Sequence, residues 1–177
     1  MPEAVSEEYL QLVYTGGANN NDPRLSLGGA YGRSFIFDPN ENTLEELLQK
    51  LAHNVTMMQQ RDGYTYYRCI GVRNTHTDGT MYTFQVKLSK TDGGDCLVYI
   101  GWDPAGINQA PQTIATETVA PQNVTWISAG QTLTLPETNL GPQETKGLWI
   151  KIVVPAGAKD MSFEYFNMQF EWGRVAA

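Results

Sequence analysis

Histidine is almost missing from this chain, cysteine is as scarce, and no stretch stays apolar for long. The two histidines, His53 and His76, and the two cysteines, Cys69 and Cys96, form neither an H-x-x-x-H nor a C-x-x-C spacing, so a zinc site would need scattered ligands from a very small supply. No metal site is expected. Both cysteines lie inside apolar, strand-like runs, where a free thiol behaves as a small buried hydrophobe. A disulfide framework is not expected, and one bridge is the most the pair allows. No apolar run reaches the roughly 18 residues that a membrane-spanning helix needs. Basic residues are short too: 12 Lys and Arg face 19 Asp and Glu, for a net charge of −7. A surface of that sign repels phosphodiester backbones and anionic lipid, which makes nucleic acid and membranes poor partners. The opening MPEAVSEEYLQLVY has no basic start followed by an apolar run, so no cleaved leader is expected and the chain is expected to stay in solution whole.

The motifs of common catalysts are missing as well. No G-x-S-x-G nucleophile elbow occurs. The glycine-rich stretch GGANNNDPRLSLGG lacks the Lys-Ser/Thr of a phosphate-binding loop and does not join a strand to a helix through G-x-G-x-x-G. Asn19, Asn21 and Asp22, or the DGGD of residues 92–95, could offer oxygen to a cation, but neither stretch has the closing glutamate of a twelve-residue calcium loop. Asn and Asp are ordinary turn residues, and a turn is the expected role of both. Glu45 and Glu46 fall at a helix start, where negative charge favours the macrodipole without any acid–base task. No catalytic residue and no cofactor site is therefore assigned, and the chain is read as a non-enzyme.

What the sequence has in quantity is short β-branched and aromatic runs closed by Gly, Pro, Asn or Asp. Strands are expected at YLQLVY (9–14), RSFIF (33–37), YTYYRCIGVRN (64–74), TMYTFQVKLS (80–89) and DCLVYIGW (95–102), then at QTIATETV, VTWI, QTLTL, GLWIKIVV and SFEYFNMQFEW. In the last of these, Glu164, Phe166, Met168, Phe170 and Trp172 alternate onto the expected core face. One amphipathic helix is expected near residues 43–52, capped by Asn42, with Leu44, Leu47, Leu48 and Leu51 at helical spacing. Asp78-Gly79 and the TDGGD of residues 91–95 read as hairpin reversals. The fold class expected is mainly β, an antiparallel, jelly-roll-like β-sandwich. With no repeat or low-complexity linker, residues 10–177 read as a single domain behind a flexible N-terminal arm over residues 1–9. Four tryptophans raise a second possibility, a carbohydrate-binding or receptor-binding sandwich with exposed aromatic platforms, but large aromatics beside strands more often fill cores.

Five ordered segments carry a resemblance: TGGANNNDPRLSLGG (15–29), YRCIGVRNTH (67–76), IGWDPAG (100–106), ATETVAPQNVTW (115–126) and LGPQETKGLWIKIVVPAGA (140–158). Together they resemble small β-sandwich structural proteins of tailed-bacteriophage virions, found as head decoration, neck-collar or tail-associated components. The segment LAHNVTMMQQRDGY (51–64) departs from the shorter acidic linker expected there. The resemblance implies a virion location, with synthesis in the bacterial cytoplasm, and partners among capsid, portal, neck or tail proteins. It also implies homo-oligomeric contacts, which particle symmetry favours. Aromatic residues at loop ends and edge strands are the expected contacts: Tyr14, Tyr31, Phe35, Phe37, Trp102 and Trp126.

Overall fold

The computed structural model describes residues 5–35, 55–91, 93–161 and 166–173. In chain order the strands are β1 (Leu10–Thr15), β2 (Tyr31–Phe35), β3 (Tyr64–Asn74), β4 (Tyr82–Lys90), β5 (Leu97–Trp102), β6 (Gln131–Thr134), β7 (Thr145–Val154) and β8 (Phe166–Gly173). Among the described residues one short α-helix, α1 (Met57–Asp62), precedes β3. Two antiparallel sheets result, a larger one in the order β2-β1-β3-β7-β5 and a smaller one in the order β6-β4-β8. The β-sandwich expected from the strand pattern is the fold observed. From β3 onward each successive strand leaves one sheet for the other, the wrapping of a jelly-roll-like sandwich.

That alternation overturns both expected hairpins. Strands β3 and β4 belong to sheets that pack about 10 Å apart, a gap that a two-residue reversal does not bridge. Neither Asp78 nor Gly79 takes positive φ. Instead His76 Nδ1 accepts the backbone N–H groups of Asp78 and Gly79, and the Asn74 amide ties the arch from the other side through Gly79 O and His76 N. The helix expected near 43–52 lies outside the described residues. Helix α1 forms where none was expected, and its cause is local: Thr56 and Gln59 make a reciprocal capping box, with Thr56 Oγ1 accepting from Gln59 N and Gln59 Oε1 from Thr56 N. Within the stretch expected as an arm, Val5 and Tyr9 pack on the main core cluster. Val5 is buried against the core, its carbonyl accepts the Trp172 indole N–H at 2.9 Å, and Glu7–Tyr9 forms a 3-10 turn.

Strand parity divides the larger sheet. Leu12, Ile70, Leu148, Ile150 and Ile100 face the smaller sheet and meet Phe84, Val86, Leu88, Leu133 and Met168 there. On β8 the even-numbered face points inward, as expected: Phe166 and Met168 are buried, and Phe170 and Trp172 pack on the same core. The central strands do not alternate between buried and exposed. Tyr66–Val72 of β3 and Thr145–Ile150 of β7 are buried without a break. Continuous burial requires cover on both faces, and a third layer supplies it.

That layer is a long strap, residues 103–130, together with the β1–β2 loop. Ile114, Val124, Trp126 and Leu27 pack over Tyr67, Cys69 and Trp149 on the outward face. Two segments expected as strands, QTIATETV and VTWI, lie in this strap, and Ile127 alone makes a ladder pairing, with Ile100. Their backbone bonds go elsewhere, as from Tyr67 N to Glu117 O and from Ile114 N to Leu27 O. Close approach needs a bare backbone: a Cβ on Gly101 of β5 would sit 2.5 Å from Val124 Cγ2's sister methyl, Cγ1, and 2.6 Å from Thr125 O. Gly28, at φ 89°, would place a Cβ 1.7 Å from Gln112 O.

Asp103 anchors the strap where it leaves β5. Its nearly inaccessible carboxylate accepts the Trp149 indole N–H at 2.7 Å, the Ala105 N–H at 2.8 Å, and the backbone and side-chain N–H groups of Gln112 at 3.2 Å each. Asp103→Ala is expected to destabilise the fold by about 3 kcal/mol, since charged hydrogen bonds are lost and buried donors orphaned. Urea denaturation measures this, and faster modification of Cys69, which lies under the strap, would report loosening of the same layer.

Candidate interaction surface

The structure separates the six aromatic residues expected to make contacts. Tyr14 and Trp102 are corrected to core residues, at 9% and 6% exposure. Tyr14 stands opposite Ile70 and Trp102 opposite Leu148, both on the inward face, and the Trp102 ring lies 6.2 Å from Phe84. Tyr31 is half-buried on the outward face. It crosses Gly71, and its hydroxyl donates to Gln109 O at 3.1 Å, tying β2 to the strap. Burial pushes its phenol well above the ordinary range. Trp126 is half-buried too, 5.8 Å from the Tyr67 ring and 6.0 Å from Lys151 Nζ. Phe35 ends β2, with its side chain outside the described set, and Phe37 lies outside the described residues. Tyr31 and Trp126 thus share the strap layer, while Tyr14 and Trp102 serve the sandwich interior.

The tryptophans do not assemble a platform. Trp149 and Trp102 are buried, Trp172 stacks on Phe84 at 5.9 Å between the sheets, and Trp126 lies on the outward face. A flat aromatic bed for sugar rings would need at least two of them exposed side by side.

Polar and charged side chains in the interior close the loops against the sheets. Arg68, fully buried on β3, donates to Glu117 Oε2 of the strap at 2.7 Å and lies 5.3 Å from the Tyr66 ring centre. Glu117 Oε1 also accepts the Tyr64 hydroxyl at 2.6 Å, and burial followed by that carboxylate pushes the Tyr64 phenol up to about 12. Lys146 of β7 donates to Ala105 O at 2.6 Å and to Glu137 at 2.7 Å. Both cysteines are free, buried and in separate clusters. Burial raises both thiols, Cys69 well above its usual value and Cys96 to about 11, so neither is a ready thiolate.

His76 Nδ1 lies 2.9 Å from Asp78 Oδ1, a spacing that resembles a catalytic pair. The same nitrogen accepts two backbone N–H groups, so it cannot present the N–H that a carboxylate orients in a triad. The ring caps a turn and packs edge-on against Tyr9 at 4.4 Å. His53 lies outside the described residues. In the Asn-rich loop, Asp22 Oδ1 accepts from Arg24 N and Asn20 Oδ1 from Asp22 N, so those oxygens are spent on the turn itself. No group of three or more His, Cys, Asp or Glu suited to a metal occurs among the described residues.

One end of the sandwich has a different character. There α1 abuts the β7–β8 connection: the Gln60 side-chain amide donates to Ala158 O, and Gln60 O accepts from Gly157 N. Asp95 clasps the same connection, accepting from Lys159 N at 2.6 Å and Asp160 N at 2.9 Å while its own N–H donates to Asp160 O. Asp95 and Pro155–Lys159 line an open depression of about 330 Å³. On α1 Met57 and Met58 are 86% and 66% exposed, and Leu97, two residues after Asp95, is 40% exposed. None of the three was singled out in the sequence, although the capping box Thr56-Met57-Met58-Gln59 is a readable helix start that puts two methionines in a solvent-facing first turn.

Comparison of the chain with protein-family models, with curated proteins and with solved structures finds no match.

The clasp titrates with a definite sign. The Asp160 and Lys159 N–H groups hold the Asp95 carboxyl below the usual carboxylate range. A depressed folded-state value makes its contribution complete above the unfolded aspartate value of about 3.9 and lost as pH falls through the folded one. Hydrogen exchange at the Lys159 and Asp160 amides is therefore expected to lose protection selectively on acidification, and Asp95→Ala to lose it at neutral pH.

Proposed function

We propose that this protein is a non-enzymatic structural component of a tailed-phage virion, acting as head decoration or as a neck, collar or tail accessory, and that it works through contacts with copies of itself and with other particle proteins. The observation that carries this reading is where the five resembling segments lie. They are spread over the chain from residue 15 to residue 158, yet in the fold they converge on one unit, the larger sheet and its strap. Thr15 Oγ1 donates to Cys69 O, and Cys69 N donates to Ser26 O. Asp103 accepts from Trp149, Tyr67 N donates to Glu117 O, and Val124 packs over Gly101. Each segment touches another. A resemblance that followed a shared architecture would have this property, whereas unrelated turns and strands would scatter over the surface.

The chemistry is consistent with a protein whose task is to present surface. Its buried Arg, Lys and Asp side chains are spent on fixing loops, and its histidine and cysteines among the described residues are occupied in turns or packing. A mainly β scaffold with clamped loops offers a rigid face for a symmetric particle. Mass spectrometry of purified particles from a phage encoding this chain is expected to find it in stoichiometric amount with the major head or tail proteins, and electron microscopy to place it in density that follows particle symmetry. Its absence from intact particles would overturn the reading.

A further inference from the structure

We infer that His76 is a pH-sensitive pin: a proton taken up on its Nδ1 releases the arch between β3 and β4, and with it the N-terminal turn that rests on the arch. The device needs no partner and is independent of the virion role. It follows from one nitrogen held in two roles that exclude each other. His76 Nδ1 lies 3.2 Å from Asp78 N and 2.8 Å from Gly79 N, where it accepts, and 2.9 Å from Asp78 Oδ1, where only a protonated nitrogen could donate. A neutral ring with its proton on Nε2 has one lone pair at Nδ1, which serves the two N–H groups and faces the carboxylate oxygen with no proton between them. A protonated ring donates from Nδ1 to Asp78 and has nothing to offer the N–H groups. Histidine is the side chain that changes charge near neutral pH, so a single proton exchanges one pattern for the other.

The two patterns are unequal. The His76 side chain is only 15% exposed and its bond to Gly79 N is partly buried, so water does not readily replace the lost acceptor. The Asp78 side chain is 86% exposed, and an ion pair made there is screened. Protonation therefore gives up more inside the arch than it gains at the rim. Among the described residues, the elements packed around the ring bring acidic or uncharged groups. The arch supplies Asp78, and the turn Glu7–Tyr9 carries two glutamates and the Tyr9 phenol, with the Glu8 carboxylate accepting the Ser6 hydroxyl. The segment before β7 supplies the Gln143 amide, which donates to His76 O, and Glu144, which accepts Gly141 N. Arg73, the basic residue nearest in sequence, donates instead to Thr145 Oγ1.

The N-terminal turn is seated on this arch. Tyr9 O accepts from Thr75 N at 2.8 Å and from Thr75 Oγ1 at 3.0 Å, and the Tyr9 ring meets His76 edge-on at 4.4 Å. Val5 lies so close to Gly79 that a Cβ there would stand 2.5 Å from Val5 Cγ2. An arch whose N–H groups have lost their acceptor no longer holds that seat in place.

Hydrogen exchange of the purified full chain, followed from about pH 8 to about pH 5 and corrected for intrinsic rates, tests the pin, while nitrogen NMR of the His76 ring reads the proton directly. As Nδ1 takes its proton, the Asp78 and Gly79 amides are expected to lose protection about tenfold or more, and the Tyr9 and Thr75 amides to follow. The Lys159 and Asp160 amides, whose Asp95 clasp opens only at lower pH, are expected to stay protected over the same range. His76→Asn, whose side-chain oxygen can accept where Nδ1 did and does not titrate, is expected to keep the arch protected throughout. Asp78→Asn, which removes only the carboxylate, is expected to keep protection at the alkaline end and to move its loss to lower pH. Circular dichroism checks that each variant is folded, and either one suffices if the other is not. A ring that takes no proton on Nδ1 across the range, arch protection that ignores the proton, or an equal loss in folded His76→Asn would overturn the inference. Loss confined to Asp78 and Gly79 would overturn the release of the N-terminal turn.

Discussion

The Asp103 carboxylate, almost closed to solvent, accepts the indole N–H of the fully buried Trp149, and the covering of the larger sheet hangs on that contact. A buried carboxylate is costly unless hydrogen bonds replace its water, and this one receives donors from Trp149, Ala105 and both N–H groups of Gln112. The arrangement fixes where the chain leaves β5, turns it back over the outward face, and lets Ile114, Val124 and Trp126 cover Tyr67, Cys69 and Trp149. Without the strap, β3 and β7 would carry apolar residues on both faces with cover on only one.

The same logic runs through the other buried polar groups. Arg68 and Lys146 sit on central strands, where a charged side chain would ordinarily be out of place, and each reaches a carboxylate on a loop, Glu117 and Glu137. Taking such charges out of water offsets much of their attraction, so their main effect is positional: each ties an irregular segment to one place on a regular sheet. Loops fastened in this way keep a constant outer shape.

Much of the fold was legible because its strands are local facts. The run YTYYRCIGVRN is β3 from first residue to last, since β-branched and aromatic residues there are bounded by Gly63 before and a polar turn after. The inward face of β8 followed from simple alternation. The connections were less legible. Asp78-Gly79 has the composition of a tight hairpin, but composition does not tell whether the flanking strands pair or part to different sheets. The strap carried strand-like residues because it must pack apolar side chains, and only its partners distinguish it from a ladder strand.

The interaction residues divide in the same way. Aromatic residues at strand ends were read as surface, yet burial depends on which face has a neighbouring layer, and that took Tyr14 and Trp102 into the core. Met57 and Met58 stand exposed on α1, whose Gln60 is held by Gly157 and Ala158, about a hundred positions later in the chain. What the sequence by itself determined is the class of structure, mainly β with short strands, acidic and sparing in reactive side chains, because propensity, alternation and charge act residue by residue. What the tertiary structure alone decided is the sheet to which each strand belongs and the strap that covers the larger one, because those follow from contacts between segments far apart in the chain.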